Sequence, residues 1–507
     1  MKKDSRVAVL GLDGLSWSYF NKLVSKGDIP FIENLLNEAY KSVLYAFPPS
    51  TPPSWSSILT GVNPGKHGIF DFMYINLETY EQKLYTALDL EHPRIHEMLA
   101  FEKTPSIMVN PIPDYPIIPV KGVNVVSHLF FTPKVTYYPE SMGKYAKLLE
   151  GHKIEIYYDV TYLDHLCNIL DSYMVFLEET IDRFPWRLYW LTLNVPDTML
   201  HKFPALLQER ANRELVEGES RVFKRVNEIA RKLYENTDHL IIVSDHGFRI
   251  YDYVVSVNDV LYEHGYIRLG KGREIKRHDE LVMGMHGFKD PITRVKLPKP
   301  LVKIIAHRRM GIVRKTIKKI YKALTGKGLA LGARIDPVLS KAFSPSHYSY
   351  GVIVKDEKII PEVAKILKSH DGIADVKLRE EVFKGPYVHR APHLIVYPEY
   401  DKGVVLTGNG VFGLTLFKSK VPTHHPEGVL VYKPKCRQIK PLDWPERVEN
   451  HIVTPLAMYL LGLPLPVDSD SINTIKKAFN ESSVKVKNYT IYWKIAKRLQ
   501  RVKTPRQ

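Results

Sequence analysis

The hydrophobic residues fall into short continuous runs, and several of these runs end in a polar turn. Such runs occur in RVAVLGLDG (6–14), WRLYWLTLNVPD (186–197) and DHLIIVSDHG (238–247). Continuous apolar runs of this length are typical of strands that are buried on both faces of a parallel sheet. Apolar residues at helical spacing occur in PFIENLLNEAY (30–40) and ESRVFKRVNEIARKLYE (219–235). The alternation of strand, turn and helix therefore predicts an α/β fold with a mostly parallel central sheet flanked by helices.

The proline-rich stretch FPPSTPPSWSSILTG (47–61) predicts a short helix. Thr51 is a good N-cap, the prolines that follow it are tolerated in a first helical turn, and Gly61 is a good stop. The N-terminus of a helix attracts anions such as phosphate, because its free N–H groups and dipole are positive there. The alternative interpretation of Thr51 is a plain helix cap.

Two segments and the tail depart from the strand–turn–helix pattern. Residues 75–185 include the passage NPIPDYPIIPVKG, which is not a central strand because proline cannot donate to a strand ladder. Residues 270–340 are basic and contain an amphipathic helical pattern over 311–326. We therefore expect one domain over 1–480, interrupted by a cap-like insertion (75–185) and a basic insertion (270–340), and followed by a basic tail (481–507).

The net charge is +17, which favours anionic partners. No nucleic-acid-binding motif is recognisable, and the basic residues cluster in two segments instead of lining one groove, so nucleic acid is not expected as a partner. The expected partner is therefore a small molecule with a phosphate ester. Peripheral contact with an anionic membrane, through the basic helix and the basic tail, is a further expected interaction. In each of these segments, an amphipathic helix packed on the core is the alternative.

The number of cysteines and the lengths of the apolar runs predict the cellular location of the protein. The two cysteines, Cys167 and Cys436, form no CxxC pair, which argues against a disulfide scaffold or a thiolate zinc site. The first apolar run is short and meets Asp13, so it is interpreted as a strand and not as a signal peptide. No apolar run is long enough to span a bilayer. These features predict a cytoplasmic protein, with the membrane face of the cytoplasm as an alternative location.

Acidic residues stand at the ends of three predicted strands. They are Asp13, Asp197 and Asp245; His201 follows Asp197 as DxxxH, and His246 follows Asp245 directly. A DxxxH spacing places both side chains on one face of a helix, and carboxylates with imidazoles suit zinc or manganese. Taken alone, either pair is also compatible with a surface pair or a turn. Their joint placement at strand ends predicts a metal site.

The motifs GxDG, TxPxWxxxLTGxxPxxHG, PDxxxH and SDHG, in this order, resemble the alkaline phosphatase superfamily. The branch they resemble is the type I phosphodiesterase / nucleotide pyrophosphatase group, over residues 5–73, 187–248 and about 340–475. The resemblance implies an alkaline phosphatase-like fold and a two-metal phosphoryl-transfer site. It implies the following roles: Thr51 as nucleophile, Asp13, Asp245 and His246 as ligands of the metal that also binds Thr51, and Asp197 and His201 as ligands of the other metal.

The resemblance also implies one further histidine ligand late in the chain. THHPEGVLV points to His424, with His425 as its neighbour, whereas GMHGFKD offers His286 as a rival. A solvated His424 is the remaining alternative. The implied cofactors are two divalent ions, with Zn²⁺ preferred and Mn²⁺ or Mg²⁺ as alternatives.

The predicted activity is metal-dependent hydrolysis of phosphodiester or pyrophosphate bonds through a covalent phosphothreonine. The alternatives are a hydrolase or transferase that acts on a lipid-linked phosphate at a membrane surface, and a phosphomonoesterase. Ser54 or Trp55 is the predicted backbone donor to substrate, because the prolines before them have no N–H, and Lys66 is a residue of the site rim or of a structural turn. Ser54 stands where nucleotide pyrophosphatases carry asparagine, which leaves nucleotide preference open.

Overall fold

The computed structural model describes residues 5–76, 78–128, 134–150, 160–208, 211–269, 292–295, 328–331, 335–346, 348, 350–408, 410–411, 413–435 and 440–503. The chain divides into two compact units. The first unit comprises residues 1–69, 86–249 and 422–507, and the second comprises residues 70–85 and 250–421.

The strands of the described residues are, in chain order, Val7–Leu12 (β1), Tyr40–Tyr45 (β2), Met73–Ile75 (β3), Gln82–Leu84 (β4), Ser106–Val109 (β5), Val123–Ser127 (β6), Thr136–Tyr138 (β7), Leu188–Leu193 (β8), His239–Val243 (β9), Gly247–Ser256 (β10), Ile292–Val295 (β11), Gly328–Leu331 (β12), Ala342–Phe343 (β13), Gly351–Val354 (β14), Ile373–Leu378 (β15), Leu394–Pro398 (β16), Val404–Thr407 (β17), Leu416–His425 (β18), Glu427–Pro434 (β19), Arg447–Glu449 (β20), Leu465–Pro466 (β21) and Val486–Lys487 (β22). The α-helices are Trp17–Ser25, Pro30–Leu36, Thr51–Thr60, Pro64–His67, Ile95–Phe101, Gly143–Ala146, Thr161–Ile181, Asp197–Lys202, Arg213–Glu235, Val257–Glu263, Ile360–Lys368, Arg379–Val382, Val453–Leu460, Ile472–Phe479 and Tyr489–Lys503.

The first unit is built on a nine-stranded sheet, counted over the described residues, with the order β20-β2-β19-β9-β1-β8-β5-β6-β7. The strands β9, β1, β8, β5 and β6 run parallel to one another. Strand β19 lies antiparallel between β9 and β2, and β7 is antiparallel to β6. The sheet is therefore mostly parallel, and this confirms the predicted α/β fold class.

Apolar side chains cover both faces of this sheet. Along β1, Ala8 and Leu10 belong to a core shared with the long helices Thr161–Ile181 and Arg213–Glu235. Val7 and Val9 point into a second core, which includes residues of Thr51–Thr60 and Val453–Leu460. Because successive strand residues face opposite sides, a strand buried on both faces needs the uninterrupted apolar run seen in the sequence.

The second unit contains smaller sheets. One is the antiparallel sheet β13-β14-β16-β15, and another has the order β17-β10-β18. Strands β10 and β18 each cross the boundary between the two units. Strands β3 and β4 pair as a hairpin.

The structure differs from the predicted organisation in the segment 75–185. Strands β5, β6 and β7, which lie within it, join the nine-stranded sheet, and residues 86–185 belong to the first unit. The passage NPIPDYPIIPVKG forms the loop between β5 and β6, so its prolines interrupt the pattern without excluding the flanking strands.

Two further predictions concern basic segments. The helix predicted over 311–326 lies outside the described residues. Of the segment 270–340, the structure describes the backbone pairing of β11 with β12 and residues 335–340. The basic tail forms a helix, Tyr489–Lys503. Among the described helices, none combines the length and apolar character needed to cross a bilayer.

Candidate active site

Three neighbouring strands of the large sheet, β9, β1 and β8, each lead into a buried acidic residue. Asp13 follows β1 directly, Asp245 follows β9, and Asp197 begins the Asp197–Lys202 helix beyond β8. The backbone N–H of Asp197 donates to the carbonyl of Asp13 at 2.9 Å. The parallel direction of these strands brings their carboxyl ends to one edge of the sheet, which is why distant positions in sequence meet here.

Gly14 lets the turn after β1 approach the Asp197 turn closely. Its φ is +75°, and a Cβ at this position would lie 2.9 Å from Cβ of Asp197. Its N–H donates to Oδ1 of Asp245 at 3.3 Å. A side chain here would therefore be both strained and crowded, and the close approach of the carboxylates requires glycine.

Thr51 is the first residue of its helix, and Ser50 is the N-cap. The predicted N-cap role of Thr51 is therefore wrong by one position, whereas Gly61 does end the helix with φ +74°. Because Thr51 already has a helical backbone, its hydroxyl is not used in capping. The Oγ1 of Thr51 lies 3.4 Å from Nε2 of His246.

One group of metal-type ligands consists of Asp197, His201 and His424, which we call the Asp197 cluster. Oδ1 of Asp197 lies 3.3 Å from Nε2 of His201 and 3.3 Å from Nε2 of His424. The two Nε2 atoms are 3.2 Å apart. Asp197 and His201 stand one helical turn apart, as the DxxxH spacing predicts.

The Nδ1 of His424 lies 3.0 Å from the carbonyl oxygen of Pro49. A carbonyl can only accept, so Nδ1 must donate, and the lone pair of a neutral His424 is then on Nε2. This is the arrangement that orients a histidine for metal binding. It also ties His424 to the loop that carries Thr51.

The second group is formed by Asp13, Asp245, His246 and Thr51, which we call the Asp13 cluster. Nε2 of His246 lies 3.3 Å from Oδ2 of Asp245 and 3.6 Å from Oδ1 of Asp13. Nδ1 of His246 lies 3.0 Å from the carbonyl oxygen of Gly247, which must accept its proton. Ligating atoms of Asp13, Asp197 and His246 lie within 4.8 Å of one another, so the two clusters are contiguous.

Burial and mutual repulsion dominate the electrostatics of this site. Burial, followed by the charges of Asp245 and Asp197, raises the pKa of Asp13 well above its usual value. Burial and the charge of Asp197 likewise raise the pKa of Asp245. Burial, followed by the charge of His424, lowers the pKa of His246. Three buried carboxylates this close are not all ionised without added positive charge.

Asp197 differs from the other two carboxylates. Burial raises its pKa, but the neighbouring imidazoles of His201 and His424 outweigh burial, so the pKa is held well below the usual range. Burial lowers the pKa of His201, and the charge of Asp197 outweighs it and raises the pKa overall. Without a metal, the proton of the Asp197 cluster therefore resides on imidazole.

Several carboxylate oxygens in the site have no hydrogen-bond partner within the described part of the chain. They are both oxygens of Asp13 and Oδ2 of Asp245; Oδ1 of Asp197 also lacks a well-aligned hydrogen bond, although it lies 3.3 Å from two imidazole nitrogens. A buried carboxylate oxygen without a hydrogen bond is costly, and a cation among these oxygens and the imidazole nitrogens would remove the cost. Oxygen and nitrogen donors of this kind fit divalent metal ions, so the residues present are compatible with metal binding.

Ser244, which the sequence reasoning missed, holds two turns of the site together. Its hydroxyl accepts the N–H of Leu15 at 2.8 Å and donates to the carbonyl oxygen of His246. It stands beside two predicted ligands in SDHG, so its position in the motif was the available signal. Pro49 was missed as well, because its carbonyl acts through the backbone and leaves no residue-type signal.

The residues predicted to bind substrate have other partners in the structure. The N–H of Ser54 donates to the carbonyl of Ser50, and its hydroxyl donates to the carbonyl of Pro48. Trp55 is fully buried, and its ring lies against Gly11. Lys66 pairs with Asp470 and donates to the carbonyl of Asp468. His286, the rival of His424, lies outside the described residues.

Comparison with known proteins identifies the family. The sequence model of one family, described as type I phosphodiesterase / nucleotide pyrophosphatase, matches residues 7–407. The chain belongs to this family. As a type I phosphodiesterase / nucleotide pyrophosphatase family member, it is a phosphoric ester hydrolase. Among curated proteins, no sequence matches this chain significantly.

Solved structures agree with the assignment of the fold. Phosphonoacetate hydrolase from Sinorhizobium meliloti 1021, in complex with phosphonoformate, superposes with a TM-score of 0.55 at 14% identity, covering 90% of this chain and 96% of the other. Human ectonucleotide pyrophosphatase / phosphodiesterase 5 gives 0.53 at 13% identity, covering 94% and 99%. An inactive threonine-to-alanine variant of the murine enzyme, in complex with AMP, gives 0.52 at 12% identity, covering 94% and 99%. Our protein, as a member of this family, therefore has an alkaline phosphatase-like fold.

Proposed function

We propose that this protein hydrolyses phosphodiester or pyrophosphate bonds, with Thr51 as the nucleophile and two divalent cations as cofactors. The observation that carries the proposal is the position of the Thr51 hydroxyl. It is fully buried at the N-terminus of a helix, 3.4 Å from His246, and it is not used as a cap. A buried hydroxyl that faces a cluster of ligands is placed for chemistry and not for capping.

The two clusters are the proposed metal sites. Asp13, Asp245, His246 and Thr51 would hold one cation, and Asp197, His201 and His424 would hold the other. When bound, such cations lower the pKa of a coordinated hydroxyl and neutralise charge that develops on phosphoryl oxygens. Zn²⁺ is the ion we assign first, because both sites combine imidazole nitrogen with carboxylate oxygen.

The chain itself supplies orientation and electrostatics. In the proposed first step, the hydroxyl proton of Thr51 passes to solvent, Oγ1 forms a bond to phosphorus, and the leaving-group oxygen departs with the electron pair of the broken P–O bond and takes up a proton from solvent where it needs one. In the second step, the oxygen of a water molecule forms a bond to phosphorus and the bond from phosphorus to Oγ1 breaks; one proton of that water restores the Thr51 hydroxyl, and the phosphoryl product leaves. The N-terminal end of the Thr51–Thr60 helix places positive potential beside the phosphoryl oxygens throughout.

Two structural neighbours support this assignment of chemistry. The murine neighbour binds AMP and is inactive as a threonine-to-alanine variant, and the bacterial neighbour binds phosphonoformate. Both ligands are phosphorus oxyanions, which is the class of ligand that the two clusters and the helix N-terminus suit. Ser54 does not favour a nucleotide over other substrates, because its N–H and hydroxyl already donate within the chain.

The test measures hydrolysis of bis-p-nitrophenyl phosphate and p-nitrophenyl phosphate by chelator-stripped full-length protein, with Zn²⁺, Mn²⁺ or Mg²⁺ added. Thr51→Ala is expected to lower diester turnover by at least about 10³-fold, because it removes the nucleophile. Thr51→Ser is expected to retain part of it. Thr60→Ala is the matched control, since Thr60 is equally buried at the other end of the same helix.

Mass spectrometry of acid-quenched turnover mixtures tests the covalent step directly. A phosphoryl ester is expected on the peptide that contains Thr51 in the wild type and not in Thr51→Ala. Full diester turnover by Thr51→Ala would contradict the assigned nucleophile. Turnover of the monoester alone would replace the proposal with the phosphomonoesterase alternative.

A further inference from the structure

The C-terminal helix, Tyr489–Lys503, is attached to the first unit along one face. Tyr489 is fully buried and donates to Oε1 of Glu102 at 2.9 Å, and Nε1 of Trp493 donates to Oε1 of Glu97 at 3.2 Å. Thr490 donates to Oδ2 of Asp468 at 2.7 Å. These hydrogen bonds fix the rotation of the helix about its axis. They therefore determine which of its residues face the solvent.

Large apolar side chains lie on the outer face of this helix. Ile491, Tyr492 and Ile495 are 54%, 50% and 50% exposed. Ile491 and Ile495 stand one helical turn apart and therefore share a face. Leu88, which is 55% exposed, belongs to the backbone segment to which Lys497 donates. Exposed aliphatic residues that share one helix face, as Ile491 and Ile495 do, indicate a surface that meets another apolar phase.

All charged residues of the C-terminal segment are basic. The sequence NYTIYWKIAKRLQRVKTPRQ (488–507) contains six Lys or Arg residues and no Asp or Glu. Arg498 is exposed, and Lys494 and Lys497 are half-buried beside the apolar residues. Basic and apolar side chains on one exposed helix match a surface that is negatively charged outside and apolar beneath.

We propose that the Tyr489–Lys503 helix docks this protein on an anionic lipid surface, with Ile491, Tyr492 and Ile495 inserted at the headgroup boundary and Lys494 and Arg498 on lipid phosphates. A lipid surface accounts for both the charge and the exposed aliphatic residues. A nucleic acid uses basic residues and aromatic stacking and gives isoleucine nothing to bury against. The attachment is peripheral, because the opposite face of the helix is bound to the protein.

The test is co-sedimentation of the full-length protein with vesicles of phosphatidylcholine, with and without phosphatidylserine. The protein is expected to bind only those vesicles that contain phosphatidylserine, and this binding is expected to weaken as the salt concentration rises. Lys494→Gln with Arg498→Gln should lower the partition coefficient by about fivefold for each charge removed. Lys476→Gln with Lys477→Gln removes the same number of charges from another helix and is the matched control. Its partition coefficient should fall much less than that of the Lys494→Gln, Arg498→Gln variant.

A second variant separates insertion from charge attraction. Ile491→Ser with Ile495→Ser keeps every charge and alters exposed side chains only, so the fold and diester turnover should be unchanged while vesicle binding is lost at least tenfold. Val175→Ser, at a 44% exposed position elsewhere, is its control and should bind as the wild type does.

Three outcomes would overturn the proposal. They are absence of vesicle binding, vesicle binding that is equal in the wild type and the isoleucine variant, and salt-sensitive binding to single-stranded DNA that depends on Lys494 and Arg498 but not on the isoleucines. The last outcome would assign the surface to nucleic acid. Hydrolysis of soluble p-nitrophenyl esters requires no vesicle, so failure of docking and failure of the proposed catalysis are distinguishable.

Discussion

Asp71 offers a quantitative test of the electrostatics outside the two clusters of candidate metal ligands. It lies in the second unit, it is 4% exposed, and its Oδ1 accepts the N–H of Phe72 at 2.6 Å. Burial raises its pKa from 3.8 to about 7, although hydrogen bonds from Phe72 and Ser346 oppose the rise. The folded protein therefore keeps a proton on Asp71 at pH values where the unfolded chain has lost it.

The sign and size of the effect follow from linkage. Between about pH 4 and about pH 7 the folded state binds one more proton than the unfolded state, so the free energy of unfolding falls as the pH rises. A difference of about three pKa units corresponds to about 4 kcal/mol. This stabilisation is complete below the unfolded pKa and is lost once the pH exceeds the folded value. Asp71→Asn has no such proton to lose.

The assay is denaturant unfolding of wild type and Asp71→Asn at several pH values from 4 to 8. The stability of Asp71→Asn relative to wild type is expected to rise by about 4 kcal/mol across this range. Asp401→Asn, at an exposed position in the same unit, is the control and should show no such trend. A pH-independent difference between Asp71→Asn and wild type would show that burial does not raise the pKa of Asp71. Infrared difference spectra should lose a protonated-carboxyl band in Asp71→Asn at pH 6.

Three further substitutions test the site itself. His424→Ala should lower diester turnover by at least about 100-fold because it removes a proposed ligand, whereas the adjacent His425→Ala should keep most of it; equal losses would contradict the ligand assignment. Ser244→Ala should lower kcat/KM by about tenfold and the free energy of unfolding by about 1–3 kcal/mol, because two backbone groups lose their shared hydroxyl; an unchanged kcat/KM would remove its positioning role. Gly14→Ala and Gly27→Ala both place alanine at positive φ, but a Cβ at Gly27 meets nothing within 4 Å. Thermal unfolding should therefore show a larger loss for Gly14→Ala, with turnover reduced in that variant alone, and equal losses would mean that backbone strain and not crowding dominates.

The parts of the site that were predictable from sequence are those encoded locally. A DxxxH spacing places Asp197 and His201 on one helical face wherever the helix lies. The buried runs before Asp13 and Asp245 predict strands, and the carboxyl ends of parallel strands converge. Local pattern was therefore sufficient to bring these residues together.

The remaining features depend on contacts between distant positions. The local stretch THHPEGVLV favours His424 over His286, but the contacts that orient His424, its hydrogen bond to Pro49 and its approach to Asp197, join positions far apart in sequence. The short strands β5 and β6 join the sheet by pairing with β8 and with each other, which their proline-rich connection obscured. The helix cap shifted from Thr51 to Ser50 because either residue type caps well, and only the backbone dihedral angles decide between them.

The position of β19 in the large sheet has a consequence for biosynthesis. This strand, residues 427–434, lies between β2 (40–45) and β9 (239–243), both of which leave the ribosome far earlier. Until β19 emerges, β2 and β9 lack the strand that pairs with both of them, and such unpaired edges invite pairing with other chains. His424 emerges immediately before β19, so the last proposed ligand of the Asp197 cluster and the strand that joins β2 to β9 come from the same late segment of the nascent chain. A protein built in this way acquires its full set of proposed ligands only as β2 and β9 become joined, which keeps partly made chains from assembling a complete active site.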